Sequence, residues 1–315
     1  MNSGSEIIME IEKLKIEKNA IILAHYYQTG NIQDIADFVG ASRALSQKAA
    51  SNNADIILFA GVKFMAETAK ILAPEKKVLL PDMMAGCSLA DSCKADDFKD
   101  FIEKNPGRTI ISYVNTSAEI KALSDIICTS SNAVKIIESL PVNEKIIFAP
   151  DRNLGNYILN ITGRDMVIWN GTCHVHEEFS LEGILKLKDE YPDAKVIVHP
   201  ECELPIRIIA DFIGSTSSML TFTKIDNSSV YIVATEPGII HQMKKANRRK
   251  KYLPVPPRDS TCGCNECSFM KLITIEKIYN CLKNEKPEID LDKEIIISAG
   301  KPIRRMMEIS DKLGL

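Results

Sequence analysis

The stretch AIILAHYYQTGNIQDIADFVGAS, residues 20–42, decides the fold of this chain because it recurs twice more. TIISYVNTSAEIKALSDIICTS covers residues 109–130, and KVIVHPECELPIRIIADFIGST covers residues 195–216. Each copy begins with an apolar run typical of a buried β-strand and continues into an amphipathic helix that carries an aspartate. A repeat of this length predicts that one supersecondary unit is used three times.

The spacing within the copies supports this triplication. An aspartate lies twelve positions after a polar strand-end residue in every copy, and a hydroxyl residue lies seventeen positions after it. The strand-end residues are His25, Tyr113 and His199, the aspartates are Asp37, Asp125 and Asp211, and the hydroxyl residues are Ser42, Ser130 and Thr216.

The second half of each copy is repeated as well. Residues 56–72, 146–161 and 231–246 each predict a strand, a polar turn and a helix. In the first two copies a third strand follows, and after it comes a cysteine that opens a new helix. The third copy has a cysteine cluster there, and NRRKKYLPVPPRDSTCGC, residues 247–264, is interpreted as a small insertion before it.

Strands that alternate with helices predict parallel sheets covered by helices on both faces. We expect an α/β protein of three pseudo-threefold-related αβα three-layer domains, with short parallel sheets around a central active site. The predicted domains are residues 1–106, residues 107–192, and residues 193–315 with a C-terminal helix. Ligands bind beyond the carboxyl ends of strands in open α/β sheets, so the strand-end residues should converge on one cavity.

The composition narrows the class of protein. The chain has 315 residues, of which 45% are hydrophobic and 26% charged, as in a soluble globular protein. A net charge of -3 gives no reason to expect nucleic acid or an anionic membrane as a partner. The N-terminus lacks the pattern of a signal peptide, and the apolar runs are too short to cross a bilayer. We therefore expect a cytoplasmic protein.

Cys87 and Cys173 occupy equivalent places in the first two repeats. The third repeat has Cys262, Cys264 and Cys267 near the corresponding place, and Cys267 is favoured because a helical pattern begins directly after it. Cys87, Cys173 and Cys267 each precede a predicted helix, whose N-terminus lowers a thiol pKa and favours the ligating thiolate. Three thiolates could bind one zinc ion with an open position, or three irons of an iron–sulfur cluster. The alternative is a purely structural role at turns.

The other cysteines have different expected roles. Cys128, Cys202 and Cys281 lie in apolar segments and are expected to be core residues. Cys264 forms a CxxC with Cys267, and the two could pair on oxidation.

His174 and His176, which flank Cys173 in sequence, could be zinc ligands, but are more simply neighbours of a metal or surface residues.

Polar side chains follow the first strand of every copy. They include histidines, tyrosines and a glutamate, which are proton donors and acceptors suited to general acid–base chemistry: His25, Tyr27, Tyr113, Asn115, His199 and Glu201. The three repeated hydroxyl residues could be ordinary helix N-caps. Three of them around one cavity also predict a ligand with several anionic groups, since helix N-termini bind carboxylates and phosphates.

A series of long segments forms a pattern more specific than any one motif. They are LAHYYQ at 23–28, GVKFMAETA at 61–69, MAGCSLAD at 84–91, SYVNTSAEIKALSD at 112–125, TSSNA at 129–133, FAPDRNLG at 148–155, WNGTCHVHEEF at 169–179, VHPEC at 198–202, GSTSSM at 214–219 and the CxxC before FMKLITIEKI. In these segments, which span nearly the whole chain, the sequence resembles the quinolinate synthase family.

The resemblance implies an activity and a cofactor. Members of this family condense iminoaspartate with dihydroxyacetone phosphate and release phosphate and water to give quinolinate, in the synthesis of NAD. The implied cofactor is a [4Fe–4S] cluster with three cysteine ligands, which map by motif to Cys87, Cys173 and Cys267, and one open iron that acts as a Lewis acid. The implied functional partner is an oxidase or dehydrogenase that supplies iminoaspartate.

The resemblance also implies a set of active-site residues. They map to His25, Tyr27, Ser42, Tyr113, Asn115, Ser130, His199, Glu201, Ser215 and Thr216. Glu201 is the candidate base, with His199 and Tyr27 as proton shuttles. Tyr113 and Asn115 should orient the intermediate, and the hydroxyl residues should anchor phosphate or carboxylates. One departure is the order CGCNEC at the third ligand, where part of the family has CxxCxxC.

Two other functions remain open at this point. A zinc-dependent lyase or hydrolase could use the same three thiolates around a single ion. A non-enzymatic iron–sulfur or redox sensor is suggested by the CxxC.

Overall fold

A computed structural model describes residues 4–259, 261 and 265–315, and three four-stranded parallel sheets organise them. The first sheet holds β1 (Ala20–His25), β2 (Phe38–Gly40), β3 (Ile56–Ala60) and β4 (Lys77–Leu79). The second holds β5 (Thr109–Tyr113), β6 (Ile126–Cys128), β7 (Ile146–Ala149) and β8 (Met166–Ile168). The third holds β9 (Lys195–Val198), β10 (Phe212–Ile213), β11 (Val230–Ala234) and β12 (Lys251–Pro254).

The three sheets share one topology. Their strand orders are β2-β1-β3-β4, β6-β5-β7-β8 and β10-β9-β11-β12, so the first strand of each repeat lies between the second and the third. The predicted fold of three αβα units is confirmed. Each sheet lies within one of the three predicted segments, whose boundaries stay a prediction.

Helices flank every sheet. They are α1 (Gly4–Glu17), α2 (Gly30–Ile35), α3 (Ser42–Ser51), α4 (Lys63–Leu72), α5 (Ser88–Asp91), α6 (Ala95–Glu103), α7 (Ala118–Ala122), α8 (Ala133–Glu138), α9 (Arg152–Thr162), α10 (His174–Glu177), α11 (Leu181–Glu190), α12 (Leu204–Ile208), α13 (Thr216–Ile225), α14 (Ile239–Ala246), α15 (Ser268–Lys271), α16 (Ile275–Asn284) and α17 (Lys293–Lys312). Around the first sheet, α1 pairs with α16 and α3 pairs with α4. None of the described helices is long and apolar enough to span a bilayer.

The core explains why the strands are continuous apolar runs. Every residue of β3 is buried, as expected for a parallel strand with helices on both faces. The largest apolar cluster joins the first two repeats to the C-terminal helices. In particular, α17 packs against α7 and β6 of the second repeat and against α4 of the first. The predicted core cysteines, Cys128, Cys202 and Cys281, are buried.

The repeated aspartates do not lie on the helices where the sequence pattern predicted them. They were expected on a helix, but each lies after the helix and just before a short strand, β2, β6 or β10, which the sequence analysis did not predict. Each carboxylate accepts a hydrogen bond from a backbone N–H of the first strand of its repeat. The bonds are Asp37 to Ile22 at 2.7 Å, Asp125 to Ile110 at 2.8 Å and Asp211 to Val196 at 2.7 Å. The aspartates therefore fix neighbouring strands and lie outside the cavity.

The expected insertion in the third repeat is wrong in part. Lys251–Pro254 forms β12, which pairs with β11 in parallel and is the counterpart of β4 and β8. Only Tyr252 of β12 is buried, and Lys251 and Pro254 are exposed, so this strand lacks the apolar run by which the other strands were predicted.

Candidate functional site

One cavity of about 410 Å³ opens at the carboxyl ends of the strands of all three sheets. The residues named as site candidates from the sequence all line it. They are His25, Tyr27, Ser42, Cys87, Tyr113, Asn115, Ser130, Cys173, His199, Glu201, Ser215, Thr216 and Cys267. The location follows from topology, because the carboxyl ends of parallel strands meet at one edge of each sheet.

Glu201 is the centre of a buried polar network. Its side chain is about 2% exposed, and Tyr113 of the second repeat donates a hydrogen bond of 2.6 Å to its Oε1. His176 Nδ1 lies 3.2 Å from Oε2, at an angle outside that of a directed hydrogen bond. The imidazoles of His176 and His199 stack with their centroids 4.6 Å apart. Tyr113 therefore contacts one carboxylate oxygen of Glu201, and His176 contacts the other.

The network continues to the first repeat. His176 Nε2 lies 3.0 Å from the hydroxyl of Thr235, which lies 2.8 Å from the hydroxyl of Tyr27. The Tyr27 hydroxyl is also 2.9 Å from that of Thr216. An unbroken series of polar contacts thus joins Tyr113 to Tyr27 through Glu201, and it crosses all three repeats.

The charge states in this network follow from burial. Burial acts to raise the pKa of Glu201, but its interactions with the His176 and His199 imidazoles and the hydrogen bond from Tyr113 together outweigh burial. The net pKa of Glu201 is therefore lowered, and the carboxylate is ionised near pH 7. Burial, followed by the Glu201 charge, raises the pKa of both Tyr27 and Tyr113 well above the ordinary value. Both phenols are therefore neutral donors near pH 7.

Two buried histidines are uncharged. Burial lowers the pKa of His25 from 6.5 to about 3, with smaller contributions from His199 and Lys271. Burial also lowers the pKa of His199 from 6.5 to about 3. Neutral imidazoles can accept as well as donate protons, as a shuttle requires.

Acid should destabilise the folded chain through His25. Between pH 6.5 and about 3 the unfolded state binds a proton at His25 that the folded state does not bind. The free energy of unfolding should therefore fall as pH falls, by up to about 1.4 kcal/mol per pH unit from this one group. Urea denaturation of the wild type and of His25→Gln across this range measures it. The variant should show the shallower dependence on pH, and equal slopes would contradict the prediction.

Asn115 presents an acceptor to the cavity. Its Oδ1 is buried and has no hydrogen-bond partner among the residues that the structure describes. Buried polar atoms are rarely left unpaired, so this oxygen is available to a donor on a bound ligand.

The hydroxyl residues line the cavity, but their expected function as helix caps is wrong. The N-cap of α3 is Ala41, and Ser42 is the first helical residue. Ser130 precedes Asn132, the N-cap of α8. In the third repeat the cap is Ser215, whose side chain accepts from the N–H of Ser218. Ser42, Ser130 and Thr216 therefore make no cap bond and line the cavity. There the Thr216 hydroxyl contacts that of Tyr27, and the Ser130 hydroxyl contacts His199 Nε2.

The three cysteines come from the three repeats and meet at the cavity. Cys87, Cys173 and Cys267 are the N-cap residues of α5, α10 and α15, and all three thiols are free and half-buried. Cys262 and Cys264 lie outside the described residues. The predicted pairing of Cys264 with Cys267 therefore stays a prediction.

The thiol pKa values differ from the expectation. Burial raises the pKa of Cys87 to about 12 and that of Cys267 to about 11, and it raises that of Cys173 well above its usual value. Helix N–H groups act in the expected direction at each sulfur but are outweighed by burial. Three thiols with raised pKa values would need a bound cation to become thiolates near pH 7, and binding would release their protons.

The donor set fits a cluster better than a single ion held by three thiolates. Tetrahedral zinc with Zn–S bonds of about 2.3 Å places its sulfurs about 3.8 Å apart. The compact set of potential ligands, with all ligand atoms within 4.8 Å, contains Cys173, His176 and Glu201 but neither of the other cysteines. One sulfur per repeat, with backbone N–H groups directed at each, suits a larger inorganic core.

Two residues beside the cavity, Thr235 and Glu236, were missed from the sequence. Of the two histidines that the sequence offered as zinc ligands, neighbours of a metal or surface residues, His176 is buried and His174 contacts the Ser88 hydroxyl at 2.8 Å. Thr235 and Glu236 directly follow β11. Ligands bind beyond strand ends in such sheets, and this rule was applied only to the first strand of each repeat. Applied to β11 as well, it would have predicted both residues.

Comparison with known proteins decides the family. Residues 9–308 match the model of the family described as "Quinolinate synthetase A protein". The chain belongs to the quinolinate synthetase A family. A quinolinate synthase of Thermosynechococcus vestitus is 57% identical over 97% of this chain and 96% of the relative. Those of a Synechococcus and a Synechocystis species are 56% identical, over 95% and 97% of this chain and 94% and 96% of the relatives.

Membership of the quinolinate synthetase A family confirms the resemblance drawn from the sequence motifs. The similarity covers nearly the full length of both this chain and its relatives, so it includes all three repeats and the cavity between them.

Proposed function

We propose that this chain condenses iminoaspartate with dihydroxyacetone phosphate to quinolinate, with loss of phosphate and water, as a step in the synthesis of NAD. One observation carries the proposal. Three cysteines, one from each repeat, share a cavity with a buried network of proton donors and acceptors. A sensor would need the cysteines but not the network around Glu201.

Cys87, Cys173 and Cys267 would hold a [4Fe–4S] cluster. When bound, it supplies an iron without a protein ligand, which can act as a Lewis acid toward a substrate oxygen. The chain itself supplies binding groups and proton transfer.

Glu201 is proposed as the general base. It is ionised, and its contact with Tyr113 at 2.6 Å fixes its orientation. A ligand with carboxylate and phosphate groups brings negative charge close to Glu201, which raises its pKa and makes it a stronger base in the complex. A proton taken by Glu201 can pass toward His199, or through His176 and Thr235 to Tyr27. His25 contacts Tyr27 edge to face, with ring centroids 4.5 Å apart.

The ligand's anionic groups are assigned to the hydroxyl residues. Ser42, Ser130, Ser215 and Thr216 line the cavity from all three repeats, and His199 Nε2 lies 3.3 Å from the Ser130 hydroxyl. Hydroxyls and helix N–H groups bind phosphate and carboxylate well. Asn115 and Tyr113 would orient the intermediate between them.

The domain bounds and the cellular location are also proposed. The three domains would be residues 1–106, 107–192 and 193–315, and the enzyme would act in the cytoplasm. An oxidase or dehydrogenase that forms iminoaspartate is the expected functional partner, because an imine hydrolyses in water and must be used promptly.

Protein purified without oxygen tests the proposal. We expect about four irons and four acid-labile sulfides per chain and broad visible absorption that is lost in air. The same protein should form quinolinate from the two substrates.

A single metal ion is the alternative, and the compact set of Cys173, His176 and Glu201 favours it. One zinc and no sulfide under strictly anaerobic handling would replace the proposed cluster with a zinc lyase. A complete cluster without quinolinate formation would instead support a sensor.

A further inference from the structure

Two buried acidic residues occupy equivalent positions in the second and third repeats. β3, β7 and β11 end at alanines in the same register, where Ala60 pairs with Ala24, Ala149 with Ser112 and Ala234 with Val198. The residues two positions later are Val62, Asp151 and Glu236. Asp151 and Glu236 are fully buried. A buried carboxylate is costly unless it is paired, so both need an explanation.

Glu236 links the third cysteine to the first repeat. Its Oε1 accepts a long hydrogen bond of 3.4 Å from the N–H of Cys267 and one of 2.6 Å from Lys271 Nζ. Its Oε2 accepts from the N–H of Gly238 at 2.7 Å. Lys271 also donates to the carbonyl of Tyr27 at 2.8 Å. The carboxylate thus connects the loop of Cys267 to the segment that carries Tyr27.

Asp151 lies beside the second cysteine. Its Oδ1 accepts from the N–H of Leu154 at 2.7 Å. Its Oδ2 is buried without a hydrogen-bond partner among the residues that the structure describes, and the N–H of Cys173 lies near the carboxyl group. The neighbouring Gly171 pairs with Asp151 in an isolated parallel bridge. The chain that leads to Cys173 is therefore held against the segment of Asp151 at Gly171.

We propose that Asp151 and Glu236 are positioning residues for the cysteine ligands of the cluster. Glu236 accepts from the backbone N–H of Cys267, and Asp151 places an unpaired carboxyl oxygen beside Cys173. Each carboxyl group thereby fixes the direction in which the sulfur of its own repeat faces the cavity. This inference rests on the proposed cluster, and it assigns the two carboxylates a role in holding the ligands, separate from the proton network around Glu201.

The first repeat is different and provides an internal comparison. The Val62 side chain has no acceptor, and the loop before Cys87 is tied by a hydrogen bond of 2.7 Å from the N–H of Lys63 to the carbonyl of Ala85. Two of the three cysteines are therefore expected to depend on a carboxylate, and Cys87 is not.

Paired substitutions at both positions test this inference. Asp151→Ala and Glu236→Ala remove the acceptor, whereas Asp151→Asn and Glu236→Gln keep an oxygen in place. Iron and acid-labile sulfide are measured in each anaerobically prepared variant, together with the electron paramagnetic resonance spectrum of the reduced protein. We expect the alanine variants to lose at least about half of the iron and the amide variants to keep nearly all of it.

Asp211→Ala is the matched control. It also removes a carboxylate that accepts a backbone N–H at 2.7 Å, but it lies outside the cavity, so it should lower Tm and leave the iron content unchanged. If Asp151→Ala does not fold, Glu236→Ala decides, with rescue by Glu236→Gln. Alanine variants with the wild-type iron content and spectrum would overturn the inference alone. A wild type without iron would overturn the proposed cluster and this inference together.

Discussion

Glu201→Gln is expected to reduce the rate of quinolinate formation by roughly 10²–10⁴-fold, the contribution typical of general acid–base catalysis. Glutamine has nearly the same shape and can still accept the hydrogen bond that Tyr113 donates at 2.6 Å. The glutamine amide cannot take up a proton, so the series of contacts from Tyr113 to Tyr27 keeps this hydrogen bond but loses its base. The loss should fall on kcat, because the anionic groups of the ligand are held by other residues.

The measurement is steady-state turnover with the iron and sulfide content determined on the same sample. The cluster should stay intact, since Glu201 is not among the proposed ligands. Glu203→Gln is the matched control, because Glu203 pairs with Arg258 away from the cavity-lining residues. Near-normal turnover in Glu201→Gln would exclude Glu201 as the base. Loss of iron in that variant would indicate a metal ligand, as in the compact set with Cys173 and His176.

Cys267→Ala should abolish the cluster, with iron falling from about four per chain to near zero. The same result is expected for Cys87→Ala and Cys173→Ala, because a cluster held by only three thiolates has no ligand to spare. Loss of visible absorption and of acid-labile sulfide measures the effect. Quinolinate formation should disappear in parallel.

Cys281→Ala controls for the loss of a thiol from the core. Cys281 is about 2% exposed and packs away from the cavity, so its replacement should cost stability and keep the iron. Cys264→Ala tests the other end of the CxxC and is expected to keep the cluster. An iron-free Cys264→Ala with an iron-replete Cys267→Ala would reverse the assignment of the third ligand.

The repeats made much of the architecture predictable from the sequence. Short-range patterns determine it, since buried parallel strands require continuous apolar runs, as in β3, and a fixed spacing places the same turn after each strand. The repeated distance from His25 to Ser42 within the first copy, and its equivalents in the others, marked six residues that line the cavity, namely His25, Ser42, Tyr113, Ser130, His199 and Thr216. The short strands β2, β6 and β10 escaped because two or three residues give too little periodicity.

The sequence by itself thus determined the threefold α/β architecture, the family and the residues at the strand ends. Only the tertiary structure decided how those residues are connected and charged. His176 and Thr235 join Glu201 to Tyr27, and His199 stacks on His176. These residues come from all three repeats, so no spacing along the sequence encodes their contacts. The thiol pKa values rise for the same reason. Burial depends on what the other repeats place around a group, whereas the helix N-terminus, which the sequence does reveal, is the weaker effect here.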